Sequence, residues 1–448
     1  FESEICADMA ASGWLYTPPD GSSISPDASR YDARFALFPD DIRDWLMASQ
    51  PDAWERLQKG HGDRALTEVL GRLRKVLDTQ GTLHALRHGI EMLGLKQPLR
   101  MAEFAPASGM NAELLARYRA NRLRVVRQVH YSTVDPHVSI DLVLFLNGIP
   151  VATAELKSDY TQSVESAVYQ YKRDRNPKPE GHPSSEPLLQ FPRGALVHFA
   201  VSQSEVQMTT KLAGFQTKFL PFNRGNDGAA GNPPNPNGFA TDYLWKSVWA
   251  PDSWLQILGS YLVPIRDKKQ QLQGVIFPRF HQLDATRRIV NAVRRDGPGD
   301  KYLIQHSAGS GKTHSIAWTA SHLSTLHNDD DRKVFDSVIV VSDRTVLDDQ
   351  LQEALRAHQR TTGTIAYIRG EHKSKSVELS EALAGNKPII VCTLQTFPFT
   401  LQHIRELAAT QGKRFAVIAD EAHSSQSNET AARIKILLAG GAGGSTLE

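Results

Sequence analysis

Tyr302-Leu303-Ile304-Gln305-His306-Ser307-Ala308-Gly309-Ser310-Gly311-Lys312-Thr313 reads as an apolar strand running into a glycine-rich loop, with a helical run beginning near Ser315. A phosphate cradle needs that order. Glycines let the backbone turn its N–H groups toward the phosphates, and a helix N-terminus adds positive potential. Lys312 would reach the β and γ phosphates, and the Thr313 hydroxyl would help to hold Mg²⁺. Gly309, Ser310 and Gly311 supply the loop; His306 stands where the first glycine of such loops usually falls. A simple strand-to-helix turn does not account for Lys and Thr at those two places.

Further along, Phe415-Ala416-Val417-Ile418-Ala419 is strand-like and ends in Asp420-Glu421-Ala422-His423. This puts two carboxylates at the carboxyl edge of a strand, where α/β sheets bind ligands. Asp420 is expected to hold Mg²⁺ through its water shell and Glu421 to position or deprotonate an attacking water. Strands near Tyr302, Val338, Ile389 and Phe415 alternate with helical stretches, the rhythm of a parallel sheet covered by helices.

Upstream, Leu66, Val69, Leu70, Leu73, Val76 and Leu77 recur at helical spacing. Short strands follow around Leu123 to Val129, Val138 to Leu146, Val151 to Lys157 and Ala195 to Val201, with a helical stretch from Ser163 to Arg173. That predicts a second α/β domain. Asn223 to Gly238, rich in Asn, Gly and Pro, is expected as a surface loop, either a connector or a segment with a task. The polar passage Ile265 to Gln271 predicts a border between residues 258 and 275, hence domains of residues 1–260 and 261–448.

Bulk properties bound the function. The 448 residues are 40% hydrophobic and 22% charged, with a formal net charge of +2, which excludes a histone-like polycation. No run of about 18 apolar residues suggests a membrane span. Cys6 and Cys392 lie far apart and form no ligand set, which favours a reducing compartment, the cytoplasm.

The other chemistry lies in Ser139-Ile140-Asp141-Leu142-Val143-Leu144-Phe145-Leu146-Asn147-Gly148-Ile149-Pro150-Val151-Ala152-Thr153-Ala154-Glu155-Leu156-Lys157. Two apolar runs flank Asn-Gly, a hairpin signal. Asp141, Glu155 and Lys157 are its charged side chains, and charges on such apolar strands need a reason. Glu155 and Lys157 share a face by period-two geometry. A two-residue loop would set Asp141 opposite Ala154 and put Glu155 on the other face. A three-residue loop, or an equivalent bulge, brings Asp141 and Glu155 onto one face. In that register the two carboxylates can bind Mg²⁺ and Lys157 can steady a water or developing charge; the competing reading is a structural ion pair of Glu155 with Lys157.

The ordered series Gln282, Gly309 to Thr313, Asp343-Arg344, Thr393 with Gln395-Thr396, and Asp420 to His423 resembles the motifs of superfamily 2 helicases and translocases. That resemblance implies a RecA-like lobe using ATP and Mg²⁺, with Gln282 at the adenine and Arg344 and Thr393 along a nucleic-acid track. Asp141, Glu155 and Lys157 resemble the PD-(D/E)xK nuclease motif, although the Pro is missing and Ile140 precedes the Asp. Members often carry Gln and Tyr four residues apart after the Lys; here Tyr171 has Ala167 at that spacing and Gln170 beside it, so both are carried over as accessory residues.

A nuclease domain ahead of such a motor resembles the restriction subunit of type I restriction-modification enzymes. So do the opening Phe1-Glu2 with Gly13-Trp14, the stretch Phe219 to Gly225, and Ser424-Ser425-Gln426 after His423. The resemblance implies an ATP-dependent translocase and endonuclease that assembles with a methyltransferase subunit and a specificity subunit. It would draw duplex DNA past itself and cut away from the recognition site. A stand-alone ATP-dependent nuclease of another defence or repair system is the alternative. With 25 residues after His423, the sequence is expected to hold one RecA-like lobe and to turn ATP over poorly.

Overall fold

The computed structural model describes residues 1–19, 26–106, 109, 111–160, 162–307, 309–342, 349–358, 364–368, 374–393, 396 and 412–420. The chain divides into two compact units, Phe1–Pro106 with Asn111–Phe280, and Ala107–Met110 with His281–Glu448.

In the first unit, helices α1 (Glu2–Ala11), α2 (Pro39–Ser49), α3 (Pro51–His61), α4 (Ala65–Gln80), α5 (Thr82–His88) and α6 (Ala112–Arg119) precede the main sheet. Along α4 the expected stripe is buried at Val69, Leu73, Val76 and Leu77. The sheet has the order β1 (Leu123–His130), β2 (Ser139–Leu146), β3 (Ile149–Leu156), β4 (Val197–Val201), β5 (Val206–Thr209), β6 (Leu220–Pro221). All neighbours are antiparallel except β3 and β4. Parallel pairing demands a crossover, and α7 (Val164–Asp174) lies in the connection between β3 and β4. Its Val164, Ala167 and Tyr171 pack with Val126, Val129, Ile140, Val143 and Phe145 of the sheet in one buried core. Burying each such side chain is worth roughly 1.5–3 kcal/mol, so α7 is firmly seated over these strands.

The Asn-rich stretch belongs to this unit, and its amides do the work that a strand ladder does elsewhere. Asn223 Oδ1 accepts from the Val206 N–H at 2.8 Å, while Asn232 Nδ2 donates to Ser204 O at 2.8 Å and to Asn223 Oδ1 at 2.9 Å. After α8 (Pro251–Gln256) comes the hairpin β7 (Val263–Arg266) and β8 (Leu272–Ile276). This corrects the expected border. Ile265 to Gln271 is not a linker but a hairpin and its turn, in which the Asp267 carboxylate accepts from the N–H groups of Lys269 and Gln271 at 2.8 and 2.9 Å. The division falls instead between Phe280 and His281.

The second unit follows α9 (Phe280–Asp296) with α10 (Lys312–Ser324), β9 (Ser337–Ser342), α11 (Asp349–His358), β10 (Ile365–Tyr367), α12 (Lys375–Ala384), β11 (Ile389–Thr393) and β12 (Phe415–Ala419). The strands form a parallel sheet of order β10-β11-β9-β12. Strands at Val338, Ile389 and Phe415 are where the apolar runs place them. Tyr302 to Ile304 is a correction. Among the described residues it pairs with no strand, and Leu303 is 70% and Ile304 42% exposed. An apolar run makes a strand only where a neighbour completes its hydrogen bonds. Among the described residues, no helix is long and apolar enough to cross a membrane. Both cysteines are buried, and neither is in a disulfide.

Candidate active site

The hairpin of β2 and β3 turns through Asn147 and Gly148, with φ of 49° and 81° and Leu146 paired to Ile149. Two successive left-handed residues are what a tight two-residue hairpin turn requires. The turn is buried rather than exposed. Asn147 Oδ1 accepts from Arg122 N at 2.7 Å, its Nδ2 donates to Met101 O at 3.0 Å, and a side chain on Gly148 would strike the Phe38 carbonyl.

A loop of three residues is therefore not what aligns the carboxylates. The register shifts between Leu144, paired with Ala152, and Phe145, paired with Pro150, leaving Val151 as an extra residue. Pro150 has no N–H to give the ladder, so a bulge beside it costs little. Beyond the bulge Leu142 pairs with Ala154, which makes Asp141 and Glu155 the next residues on either strand. Residues opposite one another in an antiparallel pair share a face, so the bulge produces the alignment expected of the longer loop.

Glu155 is fully buried. Its Oε1 accepts from Arg175 Nε at 2.6 Å; among the described residues no donor reaches its Oε2, and the carboxyl group lies in hydrogen-bonding reach of that of Asp141. Burial and the neighbouring Asp141 charge outweigh the Arg175 guanidinium and hold its carboxyl above the ordinary range, at about 8. Asp141 is only half-buried; Oδ2 accepts from the Leu156 N–H at 2.8 Å and Oδ1 from Gln128 Nε2 at 3.1 Å. Lys157 is anchored through its backbone N–H on Val201 O at 2.8 Å. Among the described residues its ammonium has no hydrogen-bond or ion-pair partner, so the Glu155 to Lys157 ion pair does not form.

Several neighbours carry no signal in a linear reading. Arg175, just past the end of α7, also donates to Ser139 O at 2.7 Å and so ties Glu155 to β2. Gln128 sits within β1 at a φ of 49°, unusual for a non-glycine residue. Its amide lies 3.4 Å from the Glu2 carboxylate oxygens as well as against Asp141. Beneath the carboxylates, Thr153 Oγ1 is 2.8 Å from the Tyr171 hydroxyl and 2.7 Å from His198 Nδ1. Burial lowers His198 to about 3, so its imidazole is neutral. Tyr171 thus reaches the strand face that carries Glu155. Gln170 is half-buried, and among the described residues its amide oxygen has no hydrogen-bond partner.

In the second unit, Gly309 and Gly311 adopt left-handed φ of 74° and 83°, and α10 begins at Lys312 and Thr313. Gln282 Nε2 donates to the carbonyls of Ser310 and Gly311 at 3.1 and 3.0 Å, so this residue of α9 braces the loop backbone. A side chain on Gly311 would collide with that amide. Asp420 directly follows β12, its N–H on Val341 O at 2.9 Å. Thr393 ends β11 buried, with its hydroxyl 3.1 Å from that of Thr396, and so serves the strand end rather than presenting an exposed contact. Arg344 and Glu421, like Asp343, Gln395 and His423, lie outside the described residues.

Comparison with known proteins is consistent with both units. Residues 45–217 match the family described as type I restriction enzyme R protein N terminus, and residues 281–441 match SWI2/SNF2 ATPase. A Methanocaldococcus jannaschii protein, provisionally named the type I restriction enzyme MjaVIIIP endonuclease subunit, is 23% identical over 323 residues, covering 66% of this chain and 28% of its own length. The chain thus spans about 28% of that relative. The chain is type I restriction R-subunit-like: an R-protein N-terminal domain followed by a SWI2/SNF2 ATPase domain.

Proposed function

We propose that this chain supplies the Mg²⁺-dependent endonuclease site and an ATP-using motor lobe of a type I restriction enzyme. In that assembly, methyltransferase and specificity subunits would direct cleavage of duplex DNA away from the recognition site. One observation carries the nuclease reading: the fully buried carboxyl group of Glu155 stands beside that of Asp141, and among the described residues no donor reaches its Oε2.

The donor set fits the metal. Two carboxyl groups this close, one of them buried, can both be ionised only where a cation lies between them, and hard oxygen donors suit Mg²⁺. Among the described residues no three His, Cys, Asp or Glu side chains gather as a metal cage. A two-carboxylate site matches an ion that keeps several of its waters. When bound, Mg²⁺ would polarise the phosphodiester and acidify a water. Asp141 and Glu155 would hold it; Gln128 and the Leu156 N–H orient Asp141, and Arg175 orients Glu155. Lys157 would steady the water or the charge that develops on phosphate oxygen as the P–O bond breaks. In the motor unit, Lys312 and Thr313 would take the nucleotide phosphates and Mg²⁺, with Asp420 and Glu421 completing the site; Gln282, expected at the adenine, would act there from the position in which it braces the loop. This is a PD-(D/E)xK arrangement joined to a RecA-like one.

The test is cleavage of supercoiled circular DNA by the chain, with and without candidate methyltransferase and specificity subunits, in Mg²⁺ and ATP. Nicking that requires Mg²⁺ and is lost in Asp141→Asn is expected. Equal cleavage by Asp141→Asn sinks the assignment.

Metal binding should also be coupled to pH. Because Glu155 in the metal-free fold holds its proton up to about 8, Mg²⁺ must displace that proton at pH 7. Affinity should therefore rise with pH by up to about tenfold per unit below that point. The same shift stabilises the metal-free fold most at low pH, and this contribution is lost as pH rises from the ordinary value of 4.5 to about 8. Titration calorimetry in buffers of different protonation enthalpy counts the protons. Zero release at pH 7 would contradict this electrostatic picture of Glu155.

A further inference from the structure

Helix α7 has a second face that the chemistry above leaves unused. On it Tyr169 is 51% exposed, and Phe215, also in the first unit, is 67% exposed. Their rings meet edge to face at 6.2 Å, and the Arg173 guanidinium lies 5.8 Å over the Tyr169 ring. Arg173 also pairs with the adjacent Asp174 at 3.0 Å, which leaves its planar face on the ring. Two large aromatic side chains held together in solvent cost free energy that an occupant would recover. Further cations lie close by along the chain. Lys172 on α7 and Lys218, three residues beyond Phe215, have no ion-pair or hydrogen-bond partner through their ammonium groups among the described residues.

We infer that the Tyr169 and Phe215 pair, with Arg173, is a stacking platform for unpaired bases of a nucleic-acid strand. The lysines would follow its phosphates. This rests on the nuclease reading, because α7 joins the platform to the carboxylates. Tyr169 lies six residues from Arg175, about 9 Å along a helix at about 1.5 Å per residue, and Arg175 holds Glu155. Aromatic faces take any base, and cations beside them favour a polyanion over a neutral or basic protein surface. A strand stacked there would be held at a set distance from Asp141 and Glu155.

The experiment uses the 448-residue chain without divalent cation, so that nothing is cut, and a fluorescein-labelled oligothymidine read by anisotropy. Tyr169→Ala combined with Phe215→Ala should weaken binding by about fivefold or more, as loss of base stacking does, with an unchanged thermal melt because both side chains are exposed. Tyr169→Trp should retain binding and show quenched Trp fluorescence when oligothymidine is added. Wild-type affinity in the double variant would overturn the platform and leave the face to another partner, such as a protein. An equal loss of affinity for heparin would also overturn it, since charge alone would then account for binding. Cleavage by Asp141→Asn separates the two readings. Activity there would refute the nuclease site whatever the platform does, whereas a dead Asp141→Asn beside a double variant that binds normally would remove the platform alone.

Discussion

Lys157→Ala should lower Mg²⁺-dependent DNA cleavage by about 10² to 10³, the effect of losing one aimed charge at a reacting centre, while leaving metal affinity within a few-fold of wild type. The asymmetry follows from the geometry. Asp141 and Glu155 are held by Gln128, the Leu156 N–H and Arg175, none of which involves the Lys157 ammonium. Removing that ammonium breaks no hydrogen bond and no ion pair among the described residues, so the fold and the carboxylate pair should persist. The measurement pairs a plasmid-nicking time course with Mg²⁺ titration of the same protein. Cleavage at the wild-type rate would show that Lys157 faces solvent idly. A parallel collapse of metal binding would show that it shapes the site instead of acting on the substrate.

Lys312→Ala should abolish productive ATP binding, with any hydrolysis reduced by about 10² to 10³. Its effect on the stability of the nucleotide-free protein should be small, because a helix-dipole gain offsets the loss of the contacts the lysine side chain makes. A lysine at the first position of α10 stands against the positive end of the helix dipole. Such placement typically disfavours the helix by about 0.3–1 kcal/mol, and alanine is the best helix former to put in its place. The cation is right for a phosphate and wrong for the bare helix. Fluorescent nucleotide binding and a thermal melt without nucleotide test the two halves of this statement. A variant that binds ATP normally would remove Lys312 from the phosphate site. One that melts well below wild type would show a structural part for its side chain.

Both candidate sites are legible along the chain because their residues are concentrated in short segments. The glycines at 309 and 311, with Lys312 and Thr313, sit within one turn of each other, and their left-handed φ values are what the residue type allows most cheaply. Asp141, Glu155 and Lys157 stand out because charge on an apolar strand is costly. What held them together was not legible in full. Pro150 signalled a bulge, and a reading that weighed its missing N–H would have aligned Asp141 with Glu155 across a two-residue turn. Asp267 likewise marked a turn in what reads as a polar passage between domains. Arg175 had no such signal: twenty residues separate it from Glu155, and nothing in its neighbours distinguishes it from the exposed Arg173.

The sequence by itself determined two α/β units, the helical stripe on α4, the glycine-rich loop ahead of α10 and the three charged residues of the β2–β3 hairpin. These follow from period, residue type and spacing, all of which act over a few residues. Only the tertiary structure decided the register of that hairpin, the border at Phe280, the lack of a strand partner for Tyr302 to Ile304 among the described residues, and the contacts of Gln128 with both Glu2 and Asp141. Glu2 and Gln128 are 126 residues apart. Contacts at that separation depend on how α1 and β1 pack, and packing energy is summed over the whole core rather than written in any one segment.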